Sequence, residues 1–230
     1  MEGIRGPDAV LANTGVPPFY FAFDPTLADS LPYDPVRAGA LLDEADWVDR
    51  DGDGVRENSE GEPLRIKLLT SSNNQEWQDV AEIMKEHLSE IGVEIQVETM
   101  VFDAFLATIL AMEKDYEAIL ANFEVEFRLD ERDLFHSDAF GGPLAFSGTR
   151  DATLDRYLDT LQLIPNREEA RPFWLNSQYR ILELQPYTFF YWANRFDGLN
   201  ERLNDATLDA RGEWANIRHW WISPEDRRSP

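Results

Sequence analysis

Acidic residues recur at fixed intervals in the stretch DRDGDGVRENSE, residues 49–60. Their spacing, D-x-D-x-D-G-x5-E, is the oxygen-ligand pattern of a twelve-residue calcium loop. A hard cation needs clustered oxygens, and the glycine at the sixth position lets the chain turn sharply between them. The pattern predicts these ligands for Ca²⁺: Asp49, Asp51, Asp53, the Val55 carbonyl, Glu57 through a water, and Glu60.

The same stretch also fits an acidic turn without an ion. Aspartate and glycine are common in turns because they satisfy the local backbone geometry. Arg56 stands where calcium loops usually carry an aliphatic residue, and a predicted strand follows the loop instead of a second helix. Both interpretations stay open. In the first, the ion staples the predicted helix 35–48 to the predicted strand 64–70 and does not act as a sensor.

The composition excludes several kinds of partner and chemistry. The 230 residues include 43% hydrophobic residues and 14 Phe, which is typical of a globular chain. The 44 acidic and 21 basic residues give a net charge of −23, which argues against nucleic acid and anionic membranes as partners. The absence of cysteine excludes thiol catalysis, disulfides and Cys-ligated zinc. No apolar run approaches the ~20 residues of a transmembrane segment.

Catalytic motifs are also missing from the sequence. It contains no G-x-S-x-G, no P-loop and no G-x-G-x-x-G. His136 and Ser137 are neighbours in the chain, which points their side chains apart instead of into a Ser–His pair. We therefore expect a protein that is not an enzyme. The first ten residues, MEGIRGPDAV, do not resemble a signal peptide, so we expect either a cytoplasmic chain or an internal piece of a longer one.

The hydrophobic pattern predicts an α/β fold, with a mixed, mostly parallel sheet and helices on both faces. A strand, a helix and a second strand follow one another from residue 64 to residue 100, which indicates a right-handed parallel crossover. Residues 187–194 are apolar on both faces, which favours a central strand. The predicted strands are 64–70, 93–100, 116–123 and 187–194, and the predicted helices are 35–48, 71–92, 102–112, 151–163 and 167–184. Residues 1–34 are rich in proline and aromatic residues, and we expect them to run extended over a surface.

Four segments, taken in order, resemble the C-terminal lobe of the family 5 extracellular solute-binding proteins, the peptide- and nickel-type receptors of ABC importers. The segment YDPVRAGALLDEADWV, followed by the acidic turn and LRIKLLT, is similar to that family's Y-D-P-x-x-A-x-x-L-L-x-E-A-G-W segment. The segments AEIMKEHLSEIGVEIQV, DLFHSDAFGGPLAFSG and ILELQPYTFFYWANRFDGLNERL resemble three later blocks. The resemblance covers residues 17–222, almost the whole chain.

The resemblance implies a two-lobed, clamshell-like protein that is periplasmic or tethered outside the cell. Such a receptor encloses a peptide or other small solute between its lobes and delivers it to ABC permease subunits. Residues 1–34 would then be an inter-lobe segment and residues 35–230 the C-terminal lobe, with the N-terminal lobe absent from this chain. The alternative is a self-contained, calcium-stapled α/β interaction module.

The resemblance also implies which residues contact the ligand. In peptide-binding members an aspartate in W-x-x-D pairs with the ligand's amino group; here Phe123 takes the place of the tryptophan. Glu126 matches that aspartate, with Asp130 as the alternative. The family's N-[FY]-x-G motif reads Ala145-Phe146-Ser147-Gly148. The expected ligand-binding residues are Phe123, Glu124, Glu126, Asp130, Leu144, Ala145 and Phe146, at the carboxyl ends of the parallel strands.

Overall fold

The computed structural model describes residues 10–123, 129–193, 197–209, 212 and 214–227. Its helices are α1 (Pro35–Glu44), α2 (Gln75–Ser89), α3 (Phe102–Leu110), α4 (Arg132–Phe135), α5 (Ala152–Leu163) and α6 (Arg167–Leu184). Its strands are β1 (Val10–Leu11), β2 (Arg65–Ser71), β3 (Glu94–Met100), β4 (Ala118–Ile119) and β5 (Tyr191–Trp192). Short 3-10 helices lie at Pro25–Asp29, Ser137–Ala139, Ile217–His219 and Pro224–Asp226.

A parallel three-stranded sheet, in the order β3-β2-β4, forms the centre of the first half of the chain. Consecutive residues of β2 face opposite sides of this sheet, as strand geometry requires. Leu68 packs with Val80 and Ala81 of α2 on one face. Leu69 packs with Phe105 and Ile109 of α3 on the other face. The predicted α/β class, with helices on both faces, is confirmed.

Helix α2 begins and ends where local chemistry dictates. Asn74 caps its amino end, since the side-chain oxygen accepts a hydrogen bond from the Trp77 backbone N–H at 3.2 Å. Gly92 follows the carboxyl end with a φ of +82°, a left-handed conformation that favours glycine. The chain then enters β3 beside β2, which completes the predicted crossover.

The prediction of a central strand at 187–194 is wrong within the described residues. Only Tyr191 and Trp192 form a strand, and they pair antiparallel with β1 in a separate two-stranded sheet. The segment is nevertheless covered on two sides. Tyr187 and Phe189 pack against the helical cluster of Phe135, Leu154, Leu158 and Ile181, whereas Phe190 packs against the cluster of the parallel sheet. The apolar side chains on the two faces of this segment therefore belong to two separate hydrophobic clusters.

The predicted third strand, 116–123, is also much shorter in the structure, where only Ala118 and Ile119 pair with β2. Helices α5 and α6 follow the predicted bounds closely and pack against each other. Asp151 joins them, because it caps α5 through the Leu154 N–H at 2.8 Å and pairs with Arg180 of α6 at 2.6 Å. These hydrogen bonds lower the pKa of Asp151 to about 2.

The segment before α1 packs on α6. Val16 and Ala22 lie in an apolar cluster with Ala170 and Trp174 of that helix. Gln178 ties the same surfaces together through buried hydrogen bonds: it accepts from the Thr14 hydroxyl and donates to the Ala22 carbonyl, both at 3.1 Å.

Candidate functional site

A cluster of three aromatic rings, of which only Phe123 is exposed, follows the carboxyl end of β4. Phe123 is 45% exposed and lies almost parallel to the Tyr187 ring, with ring centres 6.2 Å apart. Its other neighbour is Phe146, at 5.6 Å between ring centres. We call these three rings, Phe123, Phe146 and Tyr187, the aromatic surface. The sequence analysis placed Phe123 and Phe146 in the ligand site and Tyr187 in a core strand; Tyr187 does pack in the core, against Phe135, but outside a strand.

Polar contacts anchor the segment that carries Phe146 to the connection between α3 and β4. The Tyr116 hydroxyl donates to the Phe146 carbonyl at 3.2 Å. The Lys114 ammonium group donates to the Pro143 carbonyl at 2.9 Å and lies 5.2 Å from the centre of the Phe146 ring. Of the other residues predicted here, Leu144 is 38% exposed and can contact a ligand, whereas Ala145 is buried.

Asp130 is the one predicted acid of this site that the structure describes. Glu124 and Glu126 lie outside the described residues. One Asp130 oxygen accepts from the Arg132 backbone N–H at 3.0 Å, and the other accepts from the Gln162 amide at 3.1 Å. Asp130 therefore holds the start of α4 against α5, and its exposed carboxylate keeps lone pairs for another donor.

Asp130 also lies at the edge of a cavity of about 670 Å³ that the sequence analysis did not predict. The cavity lies between the segment before α1 and the α5–α6 hairpin, with Tyr20, Arg167 and Trp174 among its lining residues. The only signal in the sequence was the row of aromatic residues Phe19, Tyr20, Phe21 and Phe23, too many to stay exposed in an irregular segment.

Among the described residues, Glu131 is the carboxyl group whose pKa departs furthest from its ordinary value. It is 1% exposed, and neither carboxyl oxygen has a hydrogen-bond partner among the described residues. Burial, with the charge of Asp130 adding to it, raises the pKa of Glu131 to about 8. A β-carbon at Gly15 would lie 2.5 Å from Glu131 Oε1, so the Glu131 carboxyl group would have to shift to admit any other residue there. Nothing in the sequence distinguished Glu131 from its many exposed acidic neighbours.

The predicted calcium loop brings together part of its ligand set. Carboxylate oxygens of Asp49, Asp51 and Glu57 lie within 4.8 Å of one another, whereas Asp53 and Glu60 do not belong to this group. Turn hydrogen bonds occupy several of these oxygens. Asp49 accepts from Gly52 and Gly54 at 2.7 and 3.1 Å, and Asp51 accepts from Asp53 at 3.0 Å. The geometry thus contains elements of both interpretations, an oxygen cluster and an acidic turn.

Arg56 links helix α1 to the end of α2, whereas the sequence analysis expected an ion to link that helix to the strand 64–70. Its guanidinium group bonds to the Asp43 carboxylate of α1 and to the Trp47 carbonyl, and its Nε donates to the Ile91 carbonyl at 2.7 Å. Arg50 lies on the other side of the loop and pairs with Asp46 at 2.8 Å. Helix α1, the acidic loop and the end of α2 are therefore connected without a cation.

Comparison with known proteins gives a consistent family and fold. Residues 2–128 match the sequence profile of the bacterial extracellular solute-binding proteins, family 5 (middle region). The oligopeptide-binding protein AppA of Bacillus subtilis is 26% identical over 191 residues, which are 83% of this chain and 35% of that protein. The nickel-binding periplasmic protein of Escherichia coli is 35% identical over 65 residues, which are 28% of this chain and 12% of that protein.

Solved structures show the same fold. AppA in complex with a nonapeptide has a TM-score of 0.81 at 24% identity, over 94% of this chain and 43% of that one. NikZ from Campylobacter jejuni, in complex with Ni(L-His), has a TM-score of 0.70 at 20% identity, over 92% of this chain and 43% of that one. The chain thus spans roughly a third of the AppA sequence. Among the described residues, no helix is both long and apolar enough to cross a membrane.

Proposed function

Because this chain belongs to the family 5 bacterial extracellular solute-binding proteins, we propose that it is the C-terminal lobe of an ABC-importer receptor for oligopeptides. Membership in this family places it among binding proteins, not enzymes. The observation that carries the proposal is the aromatic surface beyond the carboxyl end of β4, where Phe123 is exposed and backed by Phe146 and Tyr187, in a fold similar to AppA with its nonapeptide.

The aromatic surface suits an extended peptide. Aromatic rings bury large apolar areas with little loss of conformational entropy, and they accept side chains of many shapes. Phe123 is held from two sides by Phe146 and Tyr187, so its exposed face is fixed before a ligand arrives. Asp130, or Glu126 at the matching family position, supplies a carboxylate for the amino group of the ligand.

A single lobe binds such a ligand weakly. An enclosing site buries most of its ligand, and half of a cleft leaves the other half in water. Closure of two lobes around the ligand is the usual source of affinity in clamshell receptors. The complete receptor would be periplasmic or tethered outside the cell and would deliver its ligand to ABC permease subunits.

Calorimetry with a pool of nonapeptides of randomised sequence tests this proposal. We expect heat of binding with the longer, two-lobed protein and little or none with this chain alone. In the two-lobed protein Phe123→Ala should weaken binding at least about tenfold, since one buried aromatic contributes about 1.5 kcal/mol or more. Tyr33→Ala is the matched control, because Tyr33 is an aromatic residue that is 69% exposed and lies against His87 of α2. Tight binding by the isolated chain would refute the receptor-lobe proposal.

A second candidate is a self-contained module that binds Ca²⁺ through the acidic loop. The cluster of Asp49, Asp51 and Glu57 favours it, because carboxylate oxygens in this arrangement are ligands that Ca²⁺ prefers. In that case the chain would be stabilised by calcium, and the two-lobed protein would show no heat with the peptide pool.

A further inference from the structure

His136 is a buried histidine that the proposed function leaves without a role. It follows α4 directly and is 6% exposed, whereas the other two histidines of the chain, His87 and His219, are exposed. Its Nε2 atom has no hydrogen-bond partner among the described residues. Buried polar groups usually have their hydrogen bonds satisfied, so an incompletely paired ring at this position needs a physical explanation.

The other nitrogen of the ring organises the backbone that follows it. His136 Nδ1 accepts a hydrogen bond from the Asp138 backbone N–H at 3.0 Å and so caps the 3-10 helix Ser137–Ala139. A nitrogen that accepts a hydrogen bond carries no proton, so the neutral ring has its proton on Nε2. Beside it, the Ser137 N–H donates to the Asp155 carboxylate at 2.9 Å. The side chains of His136 and Asp155 therefore fix the turn after α4.

A series of tight turns connects this ring to the aromatic surface. The Ala139 N–H donates to the His136 carbonyl at 2.9 Å, and the Gly142 N–H donates to the Ala139 carbonyl at 2.8 Å. The Ala145 N–H then donates to the Gly142 carbonyl at 3.3 Å. A β-carbon at Gly142 would lie 2.8 Å from the Ala139 oxygen, so the turns leave little space for adjustment. Phe146, whose ring belongs to the aromatic surface, is the next residue. A change in the first turn therefore displaces the segment that carries Phe146.

The charged groups beside the ring come from α4, the 3-10 helix and α5. Nε2 lies 3.4 Å from an Asp159 oxygen and 3.9 Å from an Asp155 oxygen, and Nδ1 lies 3.8 Å from an Asp138 carboxylate oxygen. Arg132 of α4 pairs with Asp159. The three carboxylates thus offer partners to a protonated ring, whereas burial and the charge of Arg132 oppose protonation.

Protonation would reverse the role of Nδ1. A protonated imidazole carries an N–H on both nitrogens and accepts no hydrogen bond. The Asp138 N–H would lose its acceptor and would face a second donor. The Asp138 carboxylate is an acceptor for the new N–H, but at 3.8 Å it is too far for a hydrogen bond. Its oxygen reaches Nδ1 only if the turn moves.

We propose that His136 is a positioning residue for the ligand segment 143–146, and that only its unprotonated ring holds the turns in the arrangement that binds the peptide. Affinity would then be present at neutral pH and would be lost as the ring takes up a proton. Histidine is the side chain whose ordinary titration range lies between pH 5 and 8. The inference rests on the proposed function, because Phe146 must contact the ligand for the turn to affect binding.

Calorimetry of the two-lobed protein from pH 8 to pH 5 tests this role, with randomised nonapeptides that contain no Asp, Glu or His. The variants are His136→Asn, His136→Phe and, as the matched control, His87→Asn, since His87 is an exposed histidine of α2. Asparagine supplies an oxygen for the N–H two residues ahead and does not titrate, whereas phenylalanine supplies a ring without an acceptor. Melting curves confirm that each variant is folded. Because the amino group of the peptide also titrates, the quantity to compare is the ratio of Kd values of two proteins at each pH.

Relative to His136→Asn, the unmutated protein should lose about tenfold in affinity between pH 8 and pH 5, the ratio for one hydrogen bond at the upper end of the usual range. His87→Asn should follow the unmutated protein, and His136→Phe should bind more weakly than it at pH 8. A ratio to His136→Asn that does not change with pH overturns the positioning role but leaves the proposed function standing. Binding by His136→Phe that equals the unmutated protein at pH 8 does the same. No binding of the peptides by the unmutated protein at pH 8 overturns the proposed function and this inference together.

NMR of the chain itself gives a second measurement that needs neither a variant nor a ligand. As the pH falls, the amide signal of Asp138 should shift with the same midpoint as the ring signals of His136, because its hydrogen bond to Nδ1 is lost. The Trp77 amide is the control, since it donates to the Asn74 side chain, which does not titrate. An Asp138 amide that does not follow the ring overturns the inference.

Discussion

Replacing Glu131 with glutamine should stabilise the protein at neutral pH and remove a pH dependence of its folding. Glu131 is 1% exposed and has no hydrogen-bond partner in the part of the chain that the structure describes, so burial favours its neutral form in the folded state. Its pKa is raised to about 8 from the ordinary value of 4.5. The unfolded chain releases this proton near pH 4.5, whereas the folded chain retains it up to about pH 8.

The direction and size of the effect on stability follow from the difference between the pKa of Glu131 in the unfolded and folded states. Below pH 4.5 both states keep the proton, and the carboxyl group causes no pH-dependent loss of stability. Between pH 4.5 and 8 the unfolded state binds fewer protons, so the free energy of unfolding falls by about 1.4 kcal/mol per pH unit. The loss reaches about 3 kcal/mol at pH 7 and about 5 kcal/mol above pH 8. Glutamine has nearly the same shape and no proton to lose.

Urea unfolding of the wild-type chain and of Glu131→Gln from pH 4 to pH 9 measures this difference. Because many other carboxylates titrate over the range, the quantity to compare is the difference in free energy of unfolding between the two proteins at each pH. Glu98→Gln serves as the control, since Glu98 is an exposed residue of β3. A difference between wild type and Glu131→Gln that is the same at pH 5 and pH 8 would refute the assignment of a buried, neutral Glu131.

Three other predictions concern stability. Gly15→Ala should destabilise the chain by about 1–3 kcal/mol, because the added β-carbon would overlap Glu131 Oε1. Gly198→Ala is the control, since a β-carbon at Gly198 would meet open space, and equal effects of the two substitutions would contradict the overlap. Asp151→Asn should lower the free energy of unfolding by about 2 kcal/mol at pH 7. Because the folded state lowers the pKa of Asp151, its contribution is lost as the pH falls from 3.8 to about 2, and the difference between the two proteins should vanish there. A pH-independent loss in urea unfolding would argue against the pairing with Arg180. If the acidic loop binds Ca²⁺, a hundredfold excess over Kd should stabilise the chain by about 2.7 kcal/mol in thermal melts, and Asp51→Ala but not Asp103→Ala should abolish the effect. Melting curves that coincide with calcium and with chelator would leave the loop as a turn.

Local features of the sequence were sufficient to predict most elements of this fold. The caps Asn74, Asp151 and Asn166 bond to backbone N–H groups two or three residues away, so their role is readable from short stretches. The alternation of Leu68 and Leu69 between two faces of β2 is likewise a property of the strand itself. Phe123, Phe146 and Asp130 were reached through a family motif, which already encodes long-range structure.

Only the tertiary structure decided which distant segments meet. Residues 187–194 have the composition of a central strand. Strand pairing, however, depends on segments elsewhere in the chain, and the short strand β5 pairs with β1 instead of with the parallel sheet. Tyr187 stacks on Phe123, and Gly15 lies against the buried carboxyl group of Glu131, although the residues of each pair are far apart in the chain. Periodicity and capping report hydrogen bonds between near neighbours, whereas burial and the pKa of a carboxyl group depend on the side chains that packing brings around it.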